Sequence, residues 1–594
     1  MWTLNRSLSK LIAVLCLFLM GTLAIPGSLF PPPAEAAGTD IYVDASATGT
    51  GNGLSWSDAF TTLQDALADA TSGDEIWVAV GVYYPDEGGG MIDNDPTMSF
   101  TLLNGVEIYG GFVGTETIRS QRDWVNSVTV LSGDIAKDDT TDSNKVVTNV
   151  ANIIGSNAYH VLVGLGSDSS AVLDGFRVTA GQANGSFPHY VGAGMWNEGL
   201  SSPTLRNTVF IGNVAQSGGG MYNWSSNPTL TNVTFTNNVA DQGGGLANNF
   251  NSSPTLTGVS FTGNVANQDG GGLFNRSNCN PILSNVTFTA NTAVDGGGIY
   301  DDTGSSPTIT VAAFTSNIAS NFGGGIYDNQ GSPILLDVQF TGNQAVAGGG
   351  LYGYQSSPTL TDVTFSDNQS SFGGGMYNIN NSTPVLTAVR FIGNQATHGG
   401  GLYNHTNSSG TVLKNVILSG NQADQGAGTY NYQSGGSMTN VSFTGNSAST
   451  GGGLINVFSS PTLVHVILWG NQATSVGDQI FNSSSTPTIS YSDIQGSGGS
   501  SSWDGTLGTN GGGNIDADPR FVTPVDPLTA PTTTGDLHLQ NGSPAIDTGN
   551  NSACPATDLD GVLRPIDGNL NSVATCDMGA YEKLIDLFLP LIMR

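Results

Sequence analysis

Apolar residues recur singly or in pairs between polar neighbours along most of the chain, and the pattern itself repeats. SSPTLTGVSFTGNVANQDGGGLFN (252–275) returns as SSPTLTDVTFSDNQSSFGGGMYN (356–378), and equivalent units run from about 191 to 490. One Asn marks each unit: Asn213, Asn238, Asn264, Asn291, Asn317, Asn343, Asn368, Asn394, Asn421, Asn446 and Asn471, spaced by 25 to 27 residues. Three positions earlier stands Phe210, Phe235, Phe261, Phe288, Phe314, Phe340, Phe365, Phe391, Leu418, Phe443 or Leu468. Each unit holds three short β-like runs, as in PTLTNV, TFTNNVA and GGGLANN, separated by turn residues. None has an amphipathic stretch long enough for a helix, which excludes leucine-rich and helical repeats. Three strands per unit predict one rung of a parallel β-helix, and rungs stacked at ~4.8 Å make an array on the order of 50 Å long.

Stacking gives each conspicuous residue type a structural role. Phe or Leu fills a line of the core, and Asn side chains can hydrogen-bond up and down a ladder. Gly triplets such as Gly243-Gly244-Gly245 permit positive φ and close backbone approach. Pro203, Pro228, Pro254 and Pro281 sit at strand starts, where a missing donor matters least. Upstream, residues 40–44 and 76–84 read as strands around a short helix with Phe60, Leu63, Leu67 and Ala70 on one face and Ser57 or Asp58 as its N-cap. Such a helix could plug the open end of the solenoid. Strand runs at 99–113, 127–135, 145–163 and 171–180 suggest irregular early rungs. The expected fold is all-β: a right-handed parallel β-helix with a short N-terminal capping helix and a small C-terminal β-rich region, the hand following the preference of parallel crossovers.

Composition narrows the partners. Charged residues are 10% of the chain, yet 46 acids face 15 bases, for a formal charge of −31. That argues against nucleic acid or a basic membrane-surface patch, since both need clustered Lys and Arg. Arg6 and Lys10 precede an apolar run from Leu11 to Ile25 and then Ala34-Glu35-Ala36, the order of a secretory signal peptide over 1–36. The run is too short to span a bilayer, so no transmembrane span is expected after cleavage. Cys554 and Cys576, near the C-terminus, could form a disulfide in an oxidising compartment, whereas Cys279 has no obvious partner. The boundaries expected are 37–190 for the cap and irregular rungs, 191–490 for the array, 491–582 for a C-terminal region and 583–594 for an apolar tail.

FxxN followed by a Gly-Gly-x-aliphatic strand resembles the polymorphic outer-membrane protein repeat of bacterial surface β-helices, with GGG[LIM]Y here in place of that family's GGA[IVL]. The resemblance covers about half the chain and implies a secreted or cell-surface protein. That family's translocator barrel has no counterpart here, so outer-membrane insertion is not implied. GDEIWVAVGVYY (73–84) is similar to the first rung of pectin-lyase-like β-helices. NIDADPRF (514–521), DLHLQNGSPAIDTGNN (536–551), DLDGVLRPIDG (558–568) and CDMGAYE (576–582) together resemble a choice-of-anchor Q domain, known from bacterial surface proteins.

Pectin-lyase-like folds include polysaccharide lyases and glycoside hydrolases. A lyase needs Lys or Arg beside acidic calcium ligands, but Arg206, Arg276, Arg390 and Lys414 are scattered over different rungs of the array. A glycosidase needs paired carboxylates, and Asp301-Asp302 reads as a solvated turn after GGGIY. His398 and His405, flanking GGGLYN, read as exposed turn histidines. Asp241, Asp269, Asp295 and Asp424 precede Gly runs, where structural calcium could bridge rungs, and DLDG (558–561) has calcium-like spacing. No other metal or cofactor is expected. The last feature is a row directly after the aliphatic residue of the Gly strand: Trp196, Tyr222, Phe274, Tyr300, Tyr327, Tyr352, Tyr377, Tyr403 and Tyr430, interrupted by Ala247. Strand alternation turns this row outward if the aliphatic residue faces in, either offering exposed rings to sugars or a partner surface or stacking ring on ring to stabilise the solenoid; with the parity reversed the row faces the core. The sequence therefore points to an adhesin-like or structural interaction protein, monomeric, binding extracellular polysaccharide or another cell surface, with a polysaccharide-degrading enzyme as the alternative.

Overall fold

The computed structural model describes residues 38–584, so the expected signal peptide and nearly all of the apolar tail lie outside the described residues. The chain forms a parallel β-solenoid of about 12 turns. One rung runs Thr255–Thr257, Ser260–Thr262, Val265–Asp269 and Leu273–Arg276. The expected middle run is thus two segments, because the chain turns at the marker Asn. The first two segments of every rung join a 26-stranded sheet, and the Gly-preceded segments form a 14-stranded outer wall. The third segments pair in two four-stranded sheets.

A single residue with left-handed backbone makes the corner between the first two segments: Asn232, Asn285, Asp337 and Asp362 have φ of 55°, 55°, 57° and 54°. Asn and Asp tolerate this conformation better than other side-chain-bearing residues. At the opposite corner the Gly triplets let rungs touch. A Cβ on Gly271 would lie 2.5 Å from the Gly297 carbonyl oxygen, and one on Gly272 would lie 2.8 Å from the Phe288 ring.

The interior is built of columns. Phe210 through Phe391 stack with ring centroids 4.7–5.1 Å apart. Each buried marker Asn donates from Nδ2 to the Oδ1 of the next rung, as Asn291 does to Asn317 at 2.9 Å, and also to a backbone carbonyl, here that of Phe261 at 3.0 Å. The chain of amides ends where Asn471 donates to Gln479 Oε1. A second amide ladder, unmarked by the repeat, lines the outer wall from inside through Asn197, Asn223, Asn248 and Asn275. Cys279 takes the place that Ser226, Ser252 and Ser305 hold on nearby rungs, and its Sγ contacts the Arg276 carbonyl. That place in the ladder accounts for the unpaired cysteine.

The helix Leu63–Asp69 buries Leu63, Ala66 and Leu67 in the same core as Ile41 and Val43. Its N-cap is Thr62, not Ser57 or Asp58, and Phe60 and Ala70 flank it. Of the expected run 145–163 only Leu162 and Val163 are in a strand; the rest is an excursion with a short 3-10 turn. At the other end, an antiparallel pair, Phe521–Thr523 with Asp536–Leu539, begins a compact irregular region. Its Leu537, Leu539, Ile546 and Met578 pack on Ile417 and Ile467 of the array. Asn440 Nδ2 donates to the carbonyls of Asp577 and Gly579 at 2.9 and 3.1 Å. Cys554 and Cys576 are disulfide-bonded. Asp558 of DLDG accepts the N–H groups of Asp560, Val562 and Glu582.

Candidate functional site: an aromatic lane on the outer wall

The aromatic row leaves the solenoid core on the outer face of the 14-stranded wall, as strand alternation requires: Leu351 and Met376 point in, Tyr352 and Tyr377 out. Its expected bareness is corrected. Tyr222, Tyr352, Tyr377, Tyr403 and Tyr430 are only 3–8% exposed, and Trp196, Tyr300 and Tyr327 half-buried. Neighbouring rings stack along the column, Tyr377 on Tyr403 and Tyr403 on Tyr430 each at 4.8 Å. Two flanking columns cover their sides. One contains Phe322, which stacks on Tyr352 at 4.7 Å, with Phe372 and His398 at 5.3 Å from each other. Burial pushes the Tyr377 phenol up to about 12.

The other flanking column, two residues further along each strand, is partly exposed along its length. It reads Glu198, Trp224, Asn249, Arg276, Asp302, Asn329, Tyr354, Ile379, His405 and Tyr432. Trp224 packs on Phe250 at 4.1 Å and lies 6.2 Å from Phe187, which is 54% exposed. His405 stacks on Tyr432 at 5.0 Å, with the exposed Phe458 beyond. Sequence reasoning misses this column because its members share no residue type. The two histidines are half-buried strand residues, not turn residues, and burial lowers both imidazole pKa values.

Between the aromatic ends lies a charged centre. Arg276 Nε is 3.4 Å from Asp302 Oδ2, and Asn329 Nδ2 donates to Asp302 Oδ1 at 3.2 Å. Asp269 and Asp295 are register partners on adjacent rungs. Burial, then the Asp269 charge, pushes the Asp295 carboxyl up to about 6. Asp269 itself is raised by burial and by Asp302, and lowered in part by Arg276. The absence of acids beside a base, read from rungs one at a time, therefore does not hold in three dimensions. Asp241 and Asp424 do not join this group: Asp241 accepts from Asn267, and Asp424 is exposed near His398.

Asp301 is not in a solvated turn. It occupies the second amide ladder, fully buried, and accepts from Asn275 Nδ2 at 2.7 Å. Asp328 follows on the next rung and accepts from Ser356 Oγ. The strand alternation that sends Tyr300 and Asp302 outward sends Asp301 inward, so Asp301 and Asp302 cannot work on one substrate. A separate cleft of about 840 Å³ at the far end is lined by Phe481, Asp478, Asp504 and Asp526. Its carboxylates already accept N–H groups of Ala473, Thr506 and Leu528.

Among the described residues no helix is long and apolar enough to cross a membrane. No family model matches the chain, and no curated protein matches it. Among solved structures the chain is similar to a pectate lyase, Pel9A, at 12% identity over 92% of this chain and 97% of that one, with a TM-score of 0.23. It is also similar to a rhamnogalacturonan lyase, at 9% identity over 82% and 91%, with a TM-score of 0.17. The parallel β-helix itself rests on the strand pairing described above.

Proposed function

We propose that the chain is a secreted or surface-displayed β-helix that holds extracellular polysaccharide lengthwise on its outer wall. The carrying observation is the half-exposed column from Trp224 to Tyr432, in which aromatic rings at both ends flank Arg276 and Asp302. Rungs repeat at ~4.8 Å, so an extended polymer laid along the axis meets a ring or a polar group at every rung except that of Ile379. Aromatic faces suit the C–H faces of sugar rings, and Arg276 suits a uronate carboxylate. The buried Tyr row serves as the stiff bed beneath. Residues 491–582, by their resemblance to choice-of-anchor Q domains, would belong to surface attachment, giving an adhesin-like or structural interaction protein that works as a monomer.

The test is retention on immobilised neutral and acidic polysaccharides, with and without calcium. Trp224→Ala and Tyr432→Ala should each weaken retention by about 3- to 10-fold, the worth of ~0.5–1.5 kcal/mol per aromatic contact. Unchanged retention in both would sink this reading.

One observation favours a second reading as a polysaccharide lyase: Arg276 beside Asp302, with Asp269 and Asp295 close by. Unsaturated uronate products that vanish in Arg276→Ala would establish it. Intact polymer that nevertheless binds would leave the first reading standing.

A further inference from the structure

We propose that Asp134, Asp138 and Asp139 bind a calcium ion that fastens the 133–157 excursion to the first rungs. One carboxylate oxygen from each comes within 4.8 Å of the others, about twice the 2.3–2.6 Å of a calcium–oxygen bond. Asp134 is 4% exposed and held rigidly: its oxygens accept the N–H groups of Asp138 and Asp139 at 3.0 and 3.2 Å. Asp139 accepts from the Ile154 N–H at 2.6 Å and from Asn157 Nδ2 at 2.8 Å. A Cβ on Gly155 would lie 2.4 Å from the Asp138 carboxylate, so only glycine admits that carboxylate here.

An independent observation beside the cluster points to a ligand. Asn157 is 3% exposed, and its Oδ1, on the same amide that touches Asp139, has no hydrogen-bond partner. Buried acceptors of this kind call for a cation or a donor. Lys137, the base beside the cluster in sequence, pairs with Glu87 instead. The donor set is all oxygen, with neither His nor Cys, which selects a hard cation over zinc. Carboxylates of unequal burial on a bent loop suit the irregular shell of calcium better than the strict octahedron of magnesium.

The excursion this ion would secure packs on the array: the Val147 carbonyl lies over Gly212, and the Thr148 carbonyl accepts from Asn237 Nδ2 at 3.2 Å. It carries Lys137 and Lys145, both trypsin targets. The experiment follows tryptic cleavage after these lysines in the secreted full-length chain, stripped with chelator and then supplied with calcium or magnesium, alongside calorimetric calcium titration. At calcium 100-fold above its Kd, opening and hence cleavage should slow about 100-fold. Asp138→Asn, at an exposed position that leaves the fold intact, should abolish most of this protection. Asp295→Asn, on the distant outer wall, should leave it unchanged. Equal cleavage with and without calcium, equal protection by magnesium, or full protection retained in Asp138→Asn would each overturn the proposal.

Discussion

Replacing Asp301 by Asn should make the protein more stable, and more so as the pH rises. In the second ladder each amide donates to the next rung, but at Asp301 the sequence of donors stops. Asp301 Oδ2 and Asp328 Oδ1 are both buried without a partner, on rungs that pair residue for residue. Only a proton on Asp301 lets it donate to Asp328. Burial, then the Asp328 charge, drives the Asp301 carboxyl far up, and burial pushes Asp328 up to about 7. Unfolded carboxylates ionise near 3.9, so the folded state binds more protons between about pH 4 and 7. Stability contributed by these protons is fully present below pH 4 and falls as pH rises through about 7. For Asp328 a rise of about three units, at ~1.4 kcal/mol each, is on the order of 4 kcal/mol lost by alkaline pH. The amide introduced by Asp301→Asn would accept from Asn275 and donate to Asp328 without any proton. Each buried polar atom left unpaired costs ~1–3 kcal/mol, so Asp301→Asn should gain about 1–3 kcal/mol at pH 8 and little at pH 4. Thermal midpoints of both proteins across pH 4 to 8 read this directly. A variant no more stable than the parent at pH 8, or an advantage that shrinks with rising pH, would refute the reasoning.

Other perturbations test other columns. Phe314→Ala removes a ring stacked between Phe288 and Phe340 and should cost about 3–5 kcal/mol; hydrogen exchange should quicken first in the rungs on either side. Asn317→Ala deprives Asn291 of its acceptor and the Phe288 carbonyl of its donor, so an apparent loss of about 3 kcal/mol or more is expected in denaturant titration. Reducing the Cys554–Cys576 bond, which closes a loop across 22 positions, should destabilise the C-terminal region by about 3 kcal/mol. Limited proteolysis should then release fragments from 521–582 while the rungs before 388 stay intact.

The solenoid is legible because its information is periodic: Phe235 and Phe261, or Asn238 and Asn264, announce by spacing alone that they stack. Legibility ends where a column changes residue type. Phe322 and Phe372 cover the Tyr row, yet Ala347 stands between them in the same column, and no repeat marks such a place. Arg276 and Asp302 look scattered because they are 26 positions apart in the chain, and that distance is one rung. Asp301 misleads for the opposite reason. Apart from Ile for Leu, GGGIYD departs from GGGLYN only at its last letter, and aligning that letter with Asn275 and Asn404 turns the acid inward. The contact of the C-terminal region with Ile417 and Ile467 has no sequence signal, since it joins distant segments of the chain by shape.

The marker-Asn ladder also bears on how long such a protein can be. Every amide in it speaks only to the rung before and the rung after, and Asn291 has the same partners in kind as Asn421. Adding or deleting one whole unit would therefore leave every surviving contact of this ladder matched, while a fractional unit would break it. The array is a ruler graduated in whole rungs, whose reach can change by tandem duplication in the rungs that neither the 133–157 excursion nor the C-terminal region touches.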